Sequence, residues 1–366
     1  MEKYDMKITF LLPYAGMAGG IRVVAIYAVF LAEHGHEVNV VSVSQKAISF
    51  KEAVKGLVKG KTTMPGKQRQ GSSHITNANS IQWTILEHNG PIKDKDVPDA
   101  DVVIATWWKT AEWMNELSVA KGEKVYFCQH YENHEYFPND RVEATYHHPF
   151  LQICVSEWVK NKIQKLTGNC TQEVVMNGVD SSQFISQERE MNNPIKVGFM
   201  YSPAHWKGTD ILIKALQIAK KLDPKISAIC FGANHPSKNL KIPHWIEFNK
   251  DPKQELIKDI YSQCDAWLFG SRSEGFGLPI LEAMACRTPV IATPAGAATD
   301  IINKKNGFLV PHENPQAIAE KIMEISKMSQ QQWKLLSDEA QSDAMKNDWN
   351  SAACAFEEAL YKAVGS

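Results

Sequence analysis

Two glutamates, Glu274 and Glu282, stand eight residues apart in FGSRSEGFGLPILEAMACRTPVIAT, residues 269–293. Gly275 and Gly277 follow the first of them, with Phe276 between and Leu278 next. The run CDAWLFG before this loop reads as a short buried strand, LPILEAMACR after it as a helix, and Pro289 to Thr293 as a returning strand. A strand ending in a glycine-rich loop that opens a helix presents backbone N–H groups at the positive end of a helix dipole, which suits a phosphate. One carboxylate in the loop and another a turn inside the helix supply acceptors for hydroxyl groups on either side of that phosphate. Phosphate flanked by two polyols describes a nucleotide diphospho-sugar.

Further motifs run along the chain in a consistent order. They are Gly19-Gly20 in the first strand-to-helix loop, VSEW at Val155–Trp158, NGVD at Asn177–Asp180, WKGTDIL at Trp206–Leu212 and NGFLV at Asn306–Val310. With the E-x7-E spacing, this series resembles the retaining glycosyltransferases of family 4, also called glycosyltransferase group 1, which have the GT-B fold. The resemblance covers nearly the whole chain. It implies an α/β protein of two doubly wound Rossmann-like domains facing a central cleft.

The resemblance also implies roles. Lys207 matches the lysine that the family uses on the donor diphosphate, where negative charge grows as the sugar leaves. Glu282 matches the residue that binds the ribose hydroxyls of the nucleotide. Glu274 matches the carboxylate that contacts the donor sugar and steadies charge near its anomeric carbon. The backbone at Gly275, Phe276, Gly277 and Leu278 is expected beside the phosphates. Relatives usually carry an arginine directly after a glycine, about six positions before that lysine. In VGFMYSPAHWKG this place holds Phe199, so the second cation is open, with His205 and Arg272 as candidates. His130, on the loop after the strand VYFC, corresponds to a histidine that reaches the donor sugar, and also reads as an ordinary loop residue; Glu132 and His134 beside it are the weaker candidates.

In YAGMAGGIRVV, Gly16 and Gly19 are separated by two residues, so the dinucleotide fingerprint G-x-G-x-x-G is absent. Gly19 and Gly20 read either as the glycine loop that approaches the diphosphate or as a tight turn packed on a helix. Thr106, Trp107 and Trp108 follow the strand DVVIA and offer an aromatic wall to an acceptor sugar, or else core packing. Asp94-Lys95-Asp96 has the form D-x-D but lies in a charged loop with no nucleotide loop beside it. No metal and no cofactor are expected, the nucleotide sugar being a substrate.

Positioning these residues requires parallel sheets, because short apolar strands alternate with helical stretches from end to end. Strands are expected at Lys7–Leu12, Val38–Val43, Ile81–Ile85, Val102–Ala105, Val125–Cys128 and Leu151–Val155. In the second half they are expected at Lys196–Met200, Ser227–Phe231, Trp245–Phe248, Ala266–Phe269 and Val290–Thr293. The polar stretch 181–195 marks the boundary. It gives an acceptor-side domain at 1–185, a donor-binding domain at 186–345, and a helix at 346–366 that the resemblance returns to the first domain.

The chain of 366 residues, 44% hydrophobic and 22% charged, is long enough for two globular domains. A net charge of −1 provides no field to draw it to nucleic acid. The apolar run from Val23 to Ala32 is about half of the ~20 residues that span a bilayer, and the first residues lack the apolar core of a signal peptide. A cytoplasmic location follows. Seven scattered cysteines without a C-x-x-C pair read as reduced core thiols. Between Lys46 and Gln70 there are seven basic residues and one acidic. Lys51, Lys55 and Lys59 form a stripe on an amphipathic pattern, which reads first as a packed helix with a solvated face and otherwise as peripheral contact with the inner face of a membrane or an anionic acceptor.

The expected activity is transfer of a hexose from a nucleotide diphospho-sugar, UDP- or GDP-linked, to a glycan or lipid-linked acceptor in polysaccharide or glycoconjugate synthesis. The alternatives are a nucleotide-sugar-binding subunit without catalysis and a GT-B nucleotide-sugar epimerase.

Overall fold

The computed structural model describes residues 4–14, 16, 18–44, 73–77, 80–169 and 171–365. The lysine stripe of Lys51, Lys55 and Lys59 lies outside them, as does Cys170. Strands β1 (Lys7–Leu12), β2 (Glu37–Val43), β3 (Gln82–Leu86), β4 (Val102–Ala105), β5 (Glu123–Cys128), β6 (Leu151–Cys154) and β7 (Gln172–Val174) form one sheet, in the order β3-β2-β1-β4-β5-β6-β7. Strands β8 (Lys196–Met200), β9 (Ser227–Gly232), β10 (Ile246–Lys250), β11 (Ala266–Phe269), β12 (Val290–Ala292) and β13 (Gly307–Leu309) form a second, ordered β10-β9-β8-β11-β12-β13. Pairing within the second sheet is parallel throughout, and so is pairing from β3 to β6 in the first.

Among the described residues the helices are α1 (Gly19–Glu33), α2 (Trp108–Asn115), α3 (Asn139–Tyr146), α4 (Glu157–Thr167), α5 (Thr209–Leu222), α6 (Ile257–Ser262), α7 (Leu278–Ala285), α8 (Ala298–Ile301), α9 (Pro315–Ser326), α10 (Gln330–Met345) and α11 (Trp349–Val364). Helix α1 shows why the elements form as they do. Ile21, Val24, Ala25, Ala28 and Leu31 recur at helical spacing and are buried. The helix stops at His34 and turns at Gly35, whose φ of +100° is open to glycine, and the chain enters β2. The central strands are buried on both faces, with Ile8, Phe10, Val102 and Ile104 fully so.

Two compact units result. The first holds residues 1–154, Ile163–Glu173 and Ala353–Ser366, and the second Val155–Lys162 and Val174–Ala352. The expected boundary at 185 therefore falls inside the second unit. The polar stretch 181–195 reads as a linker, yet it is stapled down. Arg189 Nη1 and the Asn192 N–H donate to Asp265 Oδ1 at 2.8 and 3.0 Å, and the Lys196 N–H donates to Oδ2 at 2.7 Å. Asp265 is fully buried, and such a carboxylate is tolerated because these donors satisfy it.

Within the first unit, the end of α11 completes the core. Phe356 stacks on Tyr27 at 4.5 Å and meets Phe127 edge-on at 5.0 Å. Glu357 accepts from His36 Nε2 at 3.0 Å, while His36 Nδ1 accepts the Met6 N–H. Those two bonds fix the imidazole proton on Nε2.

Candidate active site

A doubly wound sheet binds ligands where its strand order reverses, at the carboxyl ends of the two strands on either side. In the second sheet those strands are β8 and β11. The loop after β8 ends in a 3-10 turn, His205–Lys207, and then Gly208 opens α5. Gly208 has φ +64°, and a Cβ there would sit 1.8 Å from the Gly270 carbonyl oxygen. Only glycine lets the turn press this closely on the loop after β11.

Across that contact, Lys207 Nζ donates to Glu274 Oε2 at 2.6 Å. The side chains are 24% and 13% exposed, so the pair is sheltered yet reachable from solvent. Ser271 Oγ also donates to Glu274 Oε2, at 3.3 Å.

Arg272 binds the same two loops together. Its Nη1 donates to the His205 carbonyl and to Asp210 Oδ1, Nη2 to Asp210 Oδ2 and Glu313 Oε2, and Nε to Glu313 Oε1. Its backbone N–H donates to the Trp206 carbonyl at 2.7 Å. All five guanidinium N–H groups are thereby committed. The hydrogen bonds from Arg272 hold the Asp210 and Glu313 carboxyls below the usual carboxylate range, and Asp210 in turn raises the guanidinium further. In this arrangement every guanidinium donor of Arg272 is taken, as Lys207 is taken by Glu274. Phe199 itself is fully buried in the core. His205 is exposed at the start of the turn.

The loop then delivers α7. Gly277 caps the helix at φ +93°, and a Cβ on it would meet the Phe269 ring at 2.8 Å. No side chain caps this N-terminus. Gly275 accepts from Ser156 Oγ at 2.7 Å, and Phe276, buried, accepts the Ala297 N–H at 2.9 Å. Ser156, from the VSEW motif, thus fixes the loop through its backbone and leaves the side chain of Glu274 to Lys207. Glu282, 8% exposed on α7, accepts the hydroxyl of Tyr261 at 2.9 Å.

In the first sheet the order reverses between β1 and β4. Gly19 and Gly20 form the exposed first turn of α1, which again has no side-chain cap. A Cβ on Gly20 would lie 3.3 Å from Gln129 Oε1, so this turn is tight against the loop after β5, whereas Gly19 has open space. On that loop His130 is half-buried, and its Nδ1 donates to the Tyr131 carbonyl at 2.8 Å. Glu132 Oε2 accepts the Trp108 N–H at 2.8 Å and the Tyr126 hydroxyl at 3.0 Å. Burial pushes the Glu132 carboxyl up to about 8. The aromatic pair divides: Trp108 is core, 1% exposed, while Trp107 lines a cavity with Tyr14 and Trp113. In the D-x-D stretch, Asp94 accepts the Ser118 N–H and Asp96 the Lys93 N–H, which are turn contacts.

The family model for glycosyl transferases group 1 matches residues 180–342. The matched stretch, less than half of the chain, is the group 1 region. The group 1 region contains Lys207, Arg272, Glu274 and Glu282, together with the whole second sheet. The chain is 34% identical over 182 residues to an uncharacterized glycosyltransferase of Methanocaldococcus jannaschii, covering 47% of this chain and 48% of that protein. It is 26% identical over 193 residues to the capsular polysaccharide biosynthesis glycosyltransferase CapM of Staphylococcus aureus, covering 46% and 50%. It therefore spans about half the length of these curated relatives. Over its whole length it is similar to the structure of Anabaena Alr3699/HepE in complex with UDP-glucose, with TM-score 0.72, 20% identity, and 98% and 100% of the chains covered. At that identity the likeness carries the fold, which is GT-B.

The switch point of the group 1 region thus joins Lys207, Glu274 and the N-terminus of α7, with Glu282 in the same helix. It leaves His205 exposed and Arg272 occupied. Asp210, Glu313, Tyr261 and Ser271 complete the arrangement. Asp210 lies inside the WKGTDIL motif and Ser271 inside the loop that carries Glu274, whereas Glu313 and Tyr261 belong to no motif read from the sequence.

Proposed function

We propose that the chain is a retaining glycosyltransferase that moves a hexose from a nucleotide diphospho-sugar to a glycan or lipid-linked acceptor in polysaccharide or glycoconjugate synthesis. The observation that carries this reading is the Lys207–Glu274 pair at 2.6 Å, at a sheet switch point beside the uncapped N-terminus of α7. One cation, one carboxylate and a row of backbone N–H groups match a diphosphate joined to a sugar. The diphosphate takes Lys207 from Glu274, and Glu274 turns to the sugar hydroxyls. Glu282 holds the ribose, kept in place by Tyr261. Within the first unit, Gly19 and Gly20 open another uncapped helix start, and His130 lies on the loop packed against it.

The UDP-glucose in the Anabaena structure supports a UDP-linked donor, and the name of the staphylococcal relative supports a polysaccharide product. Six cysteines among the described residues are unpaired, which supports residence in the reducing cytoplasm. In this reading no metal takes part, because Lys207 and the helix termini supply the positive potential. Transfer rates should therefore survive EDTA, and a loss restored by magnesium or manganese would overturn that element.

A second reading, a donor-binding subunit without transfer, is favoured by Phe199, which stands where relatives usually carry a second cation. Calorimetry with UDP, GDP and NAD, followed by assays of transfer and of slow donor hydrolysis, separates the two. Tight binding of one nucleoside diphosphate with turnover supports the enzyme. Binding with neither transfer nor hydrolysis supports the subunit, and binding of NAD alone sinks both.

A further inference from the structure

The first unit contains a cavity of about 380 Å³, lined by Pro13, Tyr14, Val43, Ser44, Asn89, Trp107, Lys109 and Trp113. These residues follow β1, β2, β3 and β4, so the cavity opens at the carboxyl edge of the first sheet, beside its switch point. Three aromatic side chains line it. Tyr14 is 40% exposed, and Trp107 and Trp113 are partly buried. Flat apolar faces beside hydroxyl and amide groups, here Ser44 and Asn89, are what a sugar ring requires, having both C–H faces and a hydroxyl rim.

Among the described residues the lining contains one cation and no carboxylate. Lys109 Nζ lies 5.4 Å from the centre of the Trp107 ring and 5.3 Å from that of Trp108. Among the described residues these ring contacts are its interactions, and it has no acidic partner. It is half-buried in the first turn of α2, where the helix dipole already repels a cation. Glu132, which accepts the Trp108 N–H at that helix start, has its carboxyl pushed up to about 8 by burial, which weakens it as a counter-charge. Lys109 is thus held where helix and surroundings disfavour a cation, and it faces a sugar-sized aromatic cavity. Both disadvantages are offset by an anion in the cavity.

We propose that this cavity binds an acidic sugar, one whose ring stacks on Trp107 and Trp113 while its carboxylate or phosphate pairs with Lys109. On the glycosyltransferase reading, on which this use of the cavity rests, it selects an anionic acceptor. Binding itself can be measured without that reading.

The experiment is a fluorescence titration of the full chain, using its tryptophans, with methyl glucuronide, glucose 6-phosphate and methyl glucoside. Wild type, Lys109→Met and Lys109→Arg are compared, each with its fold checked by circular dichroism. The two acidic probes should bind at least tenfold more tightly than methyl glucoside. Whichever of them is tighter identifies the anion. Lys109→Met should abolish the preference, Lys109→Arg should retain it, and added salt should weaken the acidic probes alone. A neutral sugar bound as tightly as the acids, or a preference that survives Lys109→Met, would overturn the proposal. A UDP titration of the same wild-type preparation separates the two ideas. Acid preference without UDP binding retains the cavity and removes the glycosyltransferase reading, and the reverse result retains the reading and removes the acidic acceptor.

Discussion

Lys207 and Glu274 neutralise each other in a place where either alone is costly, since both are largely sheltered from water. Lys207→Ala should therefore do two things. It should lower turnover more than tenfold in a nucleotide-sugar assay, and it should leave Glu274 with only Ser271 of the two donors described here. Glu282→Ala should weaken nucleoside diphosphate binding about tenfold by calorimetry. It should also cost about 1–3 kcal/mol in denaturant unfolding, because the hydrogen bond between the buried Tyr261 hydroxyl and Glu282 is lost. The placement of Lys207, Glu274 and Glu282 on their loops and helix was legible in the sequence, because each lies in a short segment with a clear loop-to-helix pattern. The role of Arg272 was not. Its partners Asp210 and Glu313 lie 62 and 41 residues away along the chain, and no local pattern reports a pairing across that distance. The same holds for Lys109, whose isolation is a property of what surrounds it in space.

At the scale of elements, strands announce themselves when they are central. β1, β4, β8 and β11 were read to the residue, since burial on both faces makes each a continuous apolar run. The edge strands β7 and β13 were missed, each being three residues long. The contact of two loops beside β8 and β11 gives a test of close approach. Gly208→Ala should abolish transfer and lower the thermal midpoint, for a methyl group would press on the Gly270 carbonyl at a positive φ. Glu132 gives a test by pH. It ties the loop after β5 to the start of α2, with a folded titration point of about 8 against an ordinary 4.5. The neutral form is the one favoured by the fold. Its contribution is fully present below pH 4.5 and is lost as pH rises to 8. Glu132→Gln, which keeps an acceptor for Trp108 and Tyr126, should flatten that decline in thermal scans between pH 5 and 9. An unchanged slope would mean that Glu132 titrates as an ordinary surface carboxylate.

At the scale of the whole molecule, the first unit is discontinuous, its core requiring side chains from residues 353–364. Phe356→Ala should cost about 3–5 kcal/mol in the unfolding transition of that unit, read by the near-ultraviolet signal of its aromatic cluster. The second unit should be little affected. Chain order gives this arrangement a consequence during synthesis. A ribosome makes β1 through β6 early, but Phe356 emerges only after the second unit has been translated, roughly 10–40 s later at about 5–20 residues per second. Throughout that interval a sheet of apolar strands stands with Tyr27 and Phe127 uncovered, a natural client for holding chaperones. A stop codon before residue 353 would release it in that condition, able to aggregate and unable to finish. The unit that is made first is the one completed last.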